Sequence, residues 1–171
     1  VPFPDSRAAS AMHVAQDTVT AVLARADIGA ILIEPIQARG GIREPHPAFL
    51  PWLQAVCRRT GVVLILDEIY TGFGRTGDWF ASEASAVVPD LVCLGKALTG
   101  GFPLSACVGK ADLMDKAWPE ATGEAIHTST FLGHPVGCAM ALAQIGEIRR
   151  LKLCERSARL GAFLISELTK F

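Results

Sequence analysis

The chain is short of charge. Lys, Arg, Asp and Glu make up 19% of its 171 residues and nearly cancel, leaving a formal net charge of -1. No basic face or arm is visible, so nucleic-acid binding has no electrostatic footing. It also lacks any apolar run long enough to span a bilayer, which argues against a membrane partner. No secretory signal pattern opens it. Internal repeats and low-complexity tracts are absent as well. Histidine is scarce: His13, His46, His127 and His134 have no metal-ligand spacing, and their order supports neither a Ser–His–Asp nor a Cys–His pairing. The five cysteines, Cys57, Cys93, Cys107, Cys138 and Cys154, are odd in number and form no CxxC. Reduced, buried thiols in a cytoplasmic protein are the expectation.

Apolar residues are what the chain has in plenty, at 50%. At this length, that is enough for one domain with a real core. It is greasy for a small monomer, so contact with further chain or a partner subunit is expected. The loop-like opening VPFPDSR, without a methionine, and the end at Phe171 inside a helical pattern suggest a piece of something longer.

The centre of the chain is the stretch Val62–Gly101. Two apolar runs, Val62–Leu66 and Leu91–Leu94, read as strands buried on both faces, as in a parallel sheet. The first ends at Asp67 and Glu68, the second at Gly95 and Lys96. The segment between them is long enough for a helical crossover, so the two strands can be parallel neighbours. Ligands of open α/β sheets gather outside the carboxyl ends of the strands. A carboxylate and an amine delivered there make a candidate site, and pyridoxal phosphate chemistry needs that pair: a lysine to hold the aldehyde as a Schiff base, and a carboxylate to keep the pyridine nitrogen protonated.

The pattern DEIYTGFGRTG, then PDLVCLGKALTGG, then HTSTFLGHP resembles the class III pyridoxal-phosphate-dependent aminotransferases, over about Ile31 to Ile148. The resemblance implies an α/β fold, a mostly parallel sheet flanked by helices, like part of the large domain of fold type I enzymes. Residues 1–150 would belong to that domain and 151–171 would begin the small one. It implies amino transfer from an amino donor to a 2-oxo acid, with Lys96 carrying pyridoxal 5'-phosphate and then acting as general base and acid. Asp67 would pair with the ring nitrogen, and Glu68 would face away from the ring. Thr130, with Ser129 beside it, would bind the phosphate of a partner subunit's cofactor in a homodimer. Glu34, in EPIQ, would support the cofactor from one layer out.

Departures from the family pattern matter too. Tyr70 stands where the family often has a glutamine touching the cofactor's phenolic oxygen; a tyrosine hydroxyl can hydrogen-bond that oxygen, or the ring can pack on neighbouring loops. Arg39 stands where the ornithine and 4-aminobutyrate branch has a second glutamate, which puts an ornithine-type substrate in doubt. His134 replaces an asparagine at a turn. The phosphate-binding loop, the aromatic that stacks on the ring, and the carboxylate-binding arginine of the family are missing. Amino-acid racemisation or epimerisation with the same lysine and aspartate, and an inactive scaffold, therefore stand as alternatives.

Two motif matches are rejected. Gly72–Gly77 reads GFGRTG, a literal GxGxxG, but Asp67 and Glu68 would repel a pyrophosphate, and no acid closes the next strand about 20 residues on. LGK at Leu94–Lys96 lacks the glycine and the Ser or Thr of a phosphate-binding loop.

Elsewhere, periodicity predicts helices over Asp17–Arg25, Pro47–Thr60, Asp112–Ala117, Pro135–Arg149 and Leu153–Leu168, and strands over Ala30–Ile36 and Leu104–Gly109. Val136, Met140, Ala143 and Ile148 are expected in the core, and Pro119–Ile126 is expected to be a loop.

Overall fold

The computed structural model describes residues 1–25, 27–124 and 127–171. Its elements are α1 (Ala11–Leu23), β1 (Ala30–Ile33), α2 (Phe49–Thr60), β2 (Val63–Asp67), β3 (Leu91–Leu94), β4 (Ala106–Gly109), α3 (Ala111–Ala117), α4 (Pro135–Arg150) and α5 (Leu153–Leu168), with 3-10 turns at Ala81–Ser85 and Lys96–Leu98. The sheet runs β1-β2-β3-β4. The first three strands are parallel and β4 is antiparallel to β3. This is the expected α/β architecture.

The strands divide their side chains by alternation. On one face Ile31, Ile33, Leu64 and Leu66 join Ala15 and Val19 of α1 and Phe49, Leu50, Leu53 and Cys57 of α2 in the main core. The stripe on α2 is the predicted one. Arg58 and Arg59 occupy its last turn, and Gly61 at φ 72° lets the chain leave left-handed while the Val62 N–H donates to the Cys57 carbonyl at 3.1 Å. The expected burial on both faces is not met: on the other face, which neither α1 nor α2 covers, Val63, Ile65 and Asp67 are only half-buried, and Leu32 of the β1 edge is 62% exposed. Asp90 ties three strands together: it accepts from the Leu64 N–H at 2.8 Å and pairs with Lys110 Nζ at 2.5 Å.

Several boundaries differ from expectation. α1 starts earlier, at Ala11, because Ala15 shares the buried face with Val19, and so small a side chain weakens the apolar period. β1 stops at Ile33: Pro35 has no N–H to give, and Gln37 turns back to bridge Arg43. The connection from β2 to β3 has no crossover α-helix, only a turn-rich loop and the 3-10 turn Ala81–Ser85. In α4 only Ile148 of the four expected core residues is buried. Val136, Met140 and Ala143 are exposed, while Gly137 and Ala141 face inward. The cysteines split: Cys57 and Cys154 are buried, Cys93 is intermediate, and Cys107 and Cys138 are exposed. Of the expected 119–126 loop, Ala125 and Ile126 lie outside the described residues.

Candidate active site

The site is built where β2 and β3 end. Their parallel register sets Asp67 beside Cys93, and the Glu68 N–H donates to the Cys93 carbonyl at 3.0 Å. One turn later the chains touch again: a Cβ added at Gly95 would lie 3.3 Å from Ile69 Cγ2. A side chain there would have to displace the Ile69 side chain by a few tenths of an ångström, so glycine suits the close approach. Lys96 follows at once. Its backbone sits at φ 41°, in the left-handed region that a lysine rarely adopts, and such strain gathers at working sites. Its Nζ stands over the Tyr70 ring, 4.9 Å from the centroid, a cation–π seat. Both side chains reach solvent.

The adjacent carboxylates Asp67 and Glu68 have separate tasks. Asp67 is half-buried, and its Oδ1 accepts from the Ile69 N–H at 2.9 Å. Among the described residues no hydrogen bond engages its Oδ2, which leaves an oxygen for a cationic N–H. Glu68 is fully buried. Its carboxylate accepts from the Thr71 hydroxyl and from the backbone N–H groups of Ala81 at 3.0 Å and Ser82 at 2.9 Å. It anchors the loop that carries the chain from β2 towards β3. The anchoring is visible in the local sequence only as an acid followed by the turn residues Thr71 and Gly72.

The glycines of the GxGxxG stretch also have a packing role. At φ 90° and 104°, Gly74 and Gly77 admit α5: a Cβ would lie 3.2 Å from Cys154 Sγ at the first and 3.0 Å from Ala158 Cβ at the second. They seat a helix against the loop.

Asp67 and Glu34 line one cleft of about 590 Å³, with Gln37 and Arg43. Glu34 Oε2 accepts from the Ala38 N–H at 3.1 Å and so also closes the turn after β1. Arg39 is exposed on that turn. Lys96 and Tyr70 lie outside this cleft, paired with each other at the end of β3. Ser129 and Thr130 are exposed in the turn before α4 and do not line it either. His134, the residue that stands for asparagine, caps α4 by accepting from the Gly137 N–H at 3.4 Å.

Comparison with known proteins gives a consistent family. The chain matches the family model described as aminotransferase class-III over residues 1–171. It is 43% identical to the acetylornithine aminotransferase of Methanosarcina mazei over 143 residues, which is 84% of this chain and 34% of that protein. Among solved structures it resembles the ornithine aminotransferase of Toxoplasma gondii, with a TM-score of 0.83 and 38% identity over 90% of this chain and 35% of that one. It resembles an amine transaminase from an uncultivated Pseudomonas species, solved in its PLP-bound form, with a TM-score of 0.83 and 34% identity over 98% of this chain and 40% of that one. The chain thus spans about a third of the length of the curated relatives it matches.

Proposed function

The chain belongs to the class-III aminotransferases, and on that premise we propose that it carries the lysine and the ring-nitrogen carboxylate of a pyridoxal-phosphate-dependent aminotransferase. The supporting observation is the parallel pairing of β2 and β3, which brings Asp67 to the end of one strand and Lys96 just past the end of its neighbour.

The residues fit the cofactor. Asp67 is an anion with one oxygen fixed by a backbone N–H and the other without a partner among the described residues, which suits a protonated ring nitrogen. Lys96 is an exposed primary amine on a strained turn. Pyridoxal 5'-phosphate, when bound, supplies an aldehyde that takes amines covalently and a ring that accepts electrons. Lys96 Nζ would hold it. As a free amine, Nζ would take a proton from the donor's Cα and later return one. Tyr70, whose ring lies under Lys96, would have its hydroxyl available to the ring's phenolic oxygen. Glu34 keeps the turn beside Asp67 closed.

The amino acceptor in this reading is a 2-oxo acid, and the donor is a small amine or amino acid. Ser129 and Thr130 would bind phosphate across a homodimer; the exposed Phe131, Leu132 and Val136 beside them are an apolar surface that a second copy can cover. The division at residue 150 and a cytoplasmic location belong to the same reading. The racemase alternative draws no support from the relatives, which carry aminotransferase and transaminase names.

Borohydride reduction of the cofactor-loaded protein carrying this chain tests the proposal. The cofactor's mass is expected on the peptide that contains Lys96, with loss of that label in Lys96→Ala. Label on any other lysine removes Lys96 from its role.

A further inference from the structure

We propose that Thr99 is a positioning residue for Lys96: its hydroxyl ties the strained lysine turn to an anchor on α4. The inference rests on the reading of Lys96 as the cofactor's lysine and deepens it.

The need for an anchor comes from the backbone. Lys96 sits at φ 41°, and a residue with a side chain keeps such a conformation only where its surroundings over-determine it. Ahead of Lys96 the chain is held. Leu94 and Gly95 are buried at the end of β3, and Gly95 rests against Ile69. Across Lys96 the Leu98 N–H donates to the Gly95 carbonyl at 2.9 Å, which closes the 3-10 turn Lys96–Leu98. That turn is weak support by itself, because the hydrogen-bond geometry of a 3-10 turn is poor. Behind it stand Gly100 and Gly101, at φ 68° and 150°. Two glycines leave the chain free to swing, and the turn would relax unless something spanned them.

Thr99 spans them. It is 4% exposed, and its hydroxyl donates to the Phe102 carbonyl, three residues on. Phe102 is fixed in turn. Its ring lies against Gly137 in the first turn of α4, where an added Cβ would come within 3.0 Å of the ring's Cε1. The ring also packs on His134, the cap of that helix, with 5.2 Å between centroids. Gly100 meets the same helix further along: a Cβ there would lie 3.1 Å from Gln144 Oε1. The lysine turn is clamped between the end of β3 on one side and α4 on the other, and the Thr99 hydroxyl is the polar link of the second arm. Every contact in the clamp is internal to this chain. Valine at position 99 keeps the side chain's shape and removes the donor. Lys96 should then relax out of the left-handed region, and Nζ should lose its fixed direction.

The test follows Lys96 itself. The whole protein carrying this chain, freed of cofactor, is mixed with pyridoxal 5'-phosphate, reduced with borohydride at timed intervals, digested and read by mass spectrometry. The lysine amine adds to the aldehyde, water leaves, and hydride converts the C=N bond to a secondary amine, so the added mass reports when Lys96 has reacted. In Thr99→Val, labelling of Lys96 should slow by up to about 10²-fold, as for a misplaced reacting group. The other lysines of the chain, Lys110, Lys116, Lys152 and Lys170, should keep their rates, and Thr99→Ser should restore the rate at Lys96. If valine prevents folding, Thr99→Ala removes the same hydroxyl, and Gly137→Ala, which displaces Phe102 from the helix side, should slow Lys96 as well. A role in stability alone would lower the melting temperature of Thr99→Val and leave the rate at Lys96 as in the unaltered protein. That result overturns the proposal while the cofactor reading stands, and so does a slow Lys96 in Thr99→Ser. Label on a different lysine in the unaltered protein removes the cofactor reading and the proposal together.

Discussion

The two faces of the sheet come from alternate residues of the same strands, yet they are unlike. On the packed face Ile31, Ile33, Leu64 and Leu66 meet two helices and hold the molecule together. On the open face Leu32, Ile65, Asp67, Cys93 and Cys107 remain half-buried or exposed, and the groups with chemistry to offer are here. A period of two lets one short strand serve both purposes: burial on one side fixes its position, so the other side can present a charge or a thiol at a defined place.

The largest expected effect sets the faces directly against each other. Leu66→Ala, at a fully buried position, should cost about 2–5 kcal/mol in urea denaturation, while Leu32→Ala on the open face should stay within about 0.5 kcal/mol. An equal loss at both would break the comparison.

The neighbouring carboxylates sharpen it. Glu68→Ala strands two buried N–H groups and a hydroxyl, and should lower stability by about 3 kcal/mol, at about 1 kcal/mol or more for each deserted group. Asp67→Ala should leave the melting curve nearly unchanged and reduce turnover by roughly 10²–10³-fold, as removal of a fixed electrostatic partner does elsewhere. Finding the stability loss at Asp67 and the turnover loss at Glu68 would exchange their roles.

Thiol labelling gives a smaller contrast. Burial first, and then the charge of Asp90, push Cys57 up to about 11. At neutral pH it should alkylate far more slowly than exposed Cys107 and Cys138 in the folded protein, and at a similar rate in denaturant. Rapid native labelling of Cys57 would mean that the packed face opens readily.

The smallest effect concerns acid. Hydrogen bonds from Arg7 and then Arg43 hold the Asp5 carboxyl well below the usual carboxylate range. Burial pushes Asp90 up, but the Lys110 and Leu64 hydrogen bonds outweigh it and leave the carboxyl lowered. Both contributions are complete above the unfolded value of about 3.9 and fade as pH falls through the lower folded values. Melting temperature should therefore decline below about pH 4, and Asp5→Asn should flatten that decline.

Local chemistry made much of this visible in the chain itself. Runs of Val, Ile and Leu before Asp67 and before Gly95 and Lys96 marked the strands and pointed to the candidate site, because an unbroken apolar run needs burial, and a charge at its end must leave the sheet. The span of α5 was legible in full. Other features depended on partners distant in sequence. Glu68 is an anchor because the chain returns thirteen residues on to offer it two N–H groups. Gly74 and Gly77 serve α5 because that helix comes back to them. Val136 and Met140 are exposed because nothing among the described residues covers that side of α4, and Cys93 meets Cys107 only through the antiparallel register of β4. The sequence alone determined where strands form, though not their exact ends, and which charges follow them, since those depend on near neighbours. Tertiary structure decided which carboxylate is structural, which cysteines lie opposite each other and which glycines are packing sites, since each depends on atoms that only folding brings within a few ångströms.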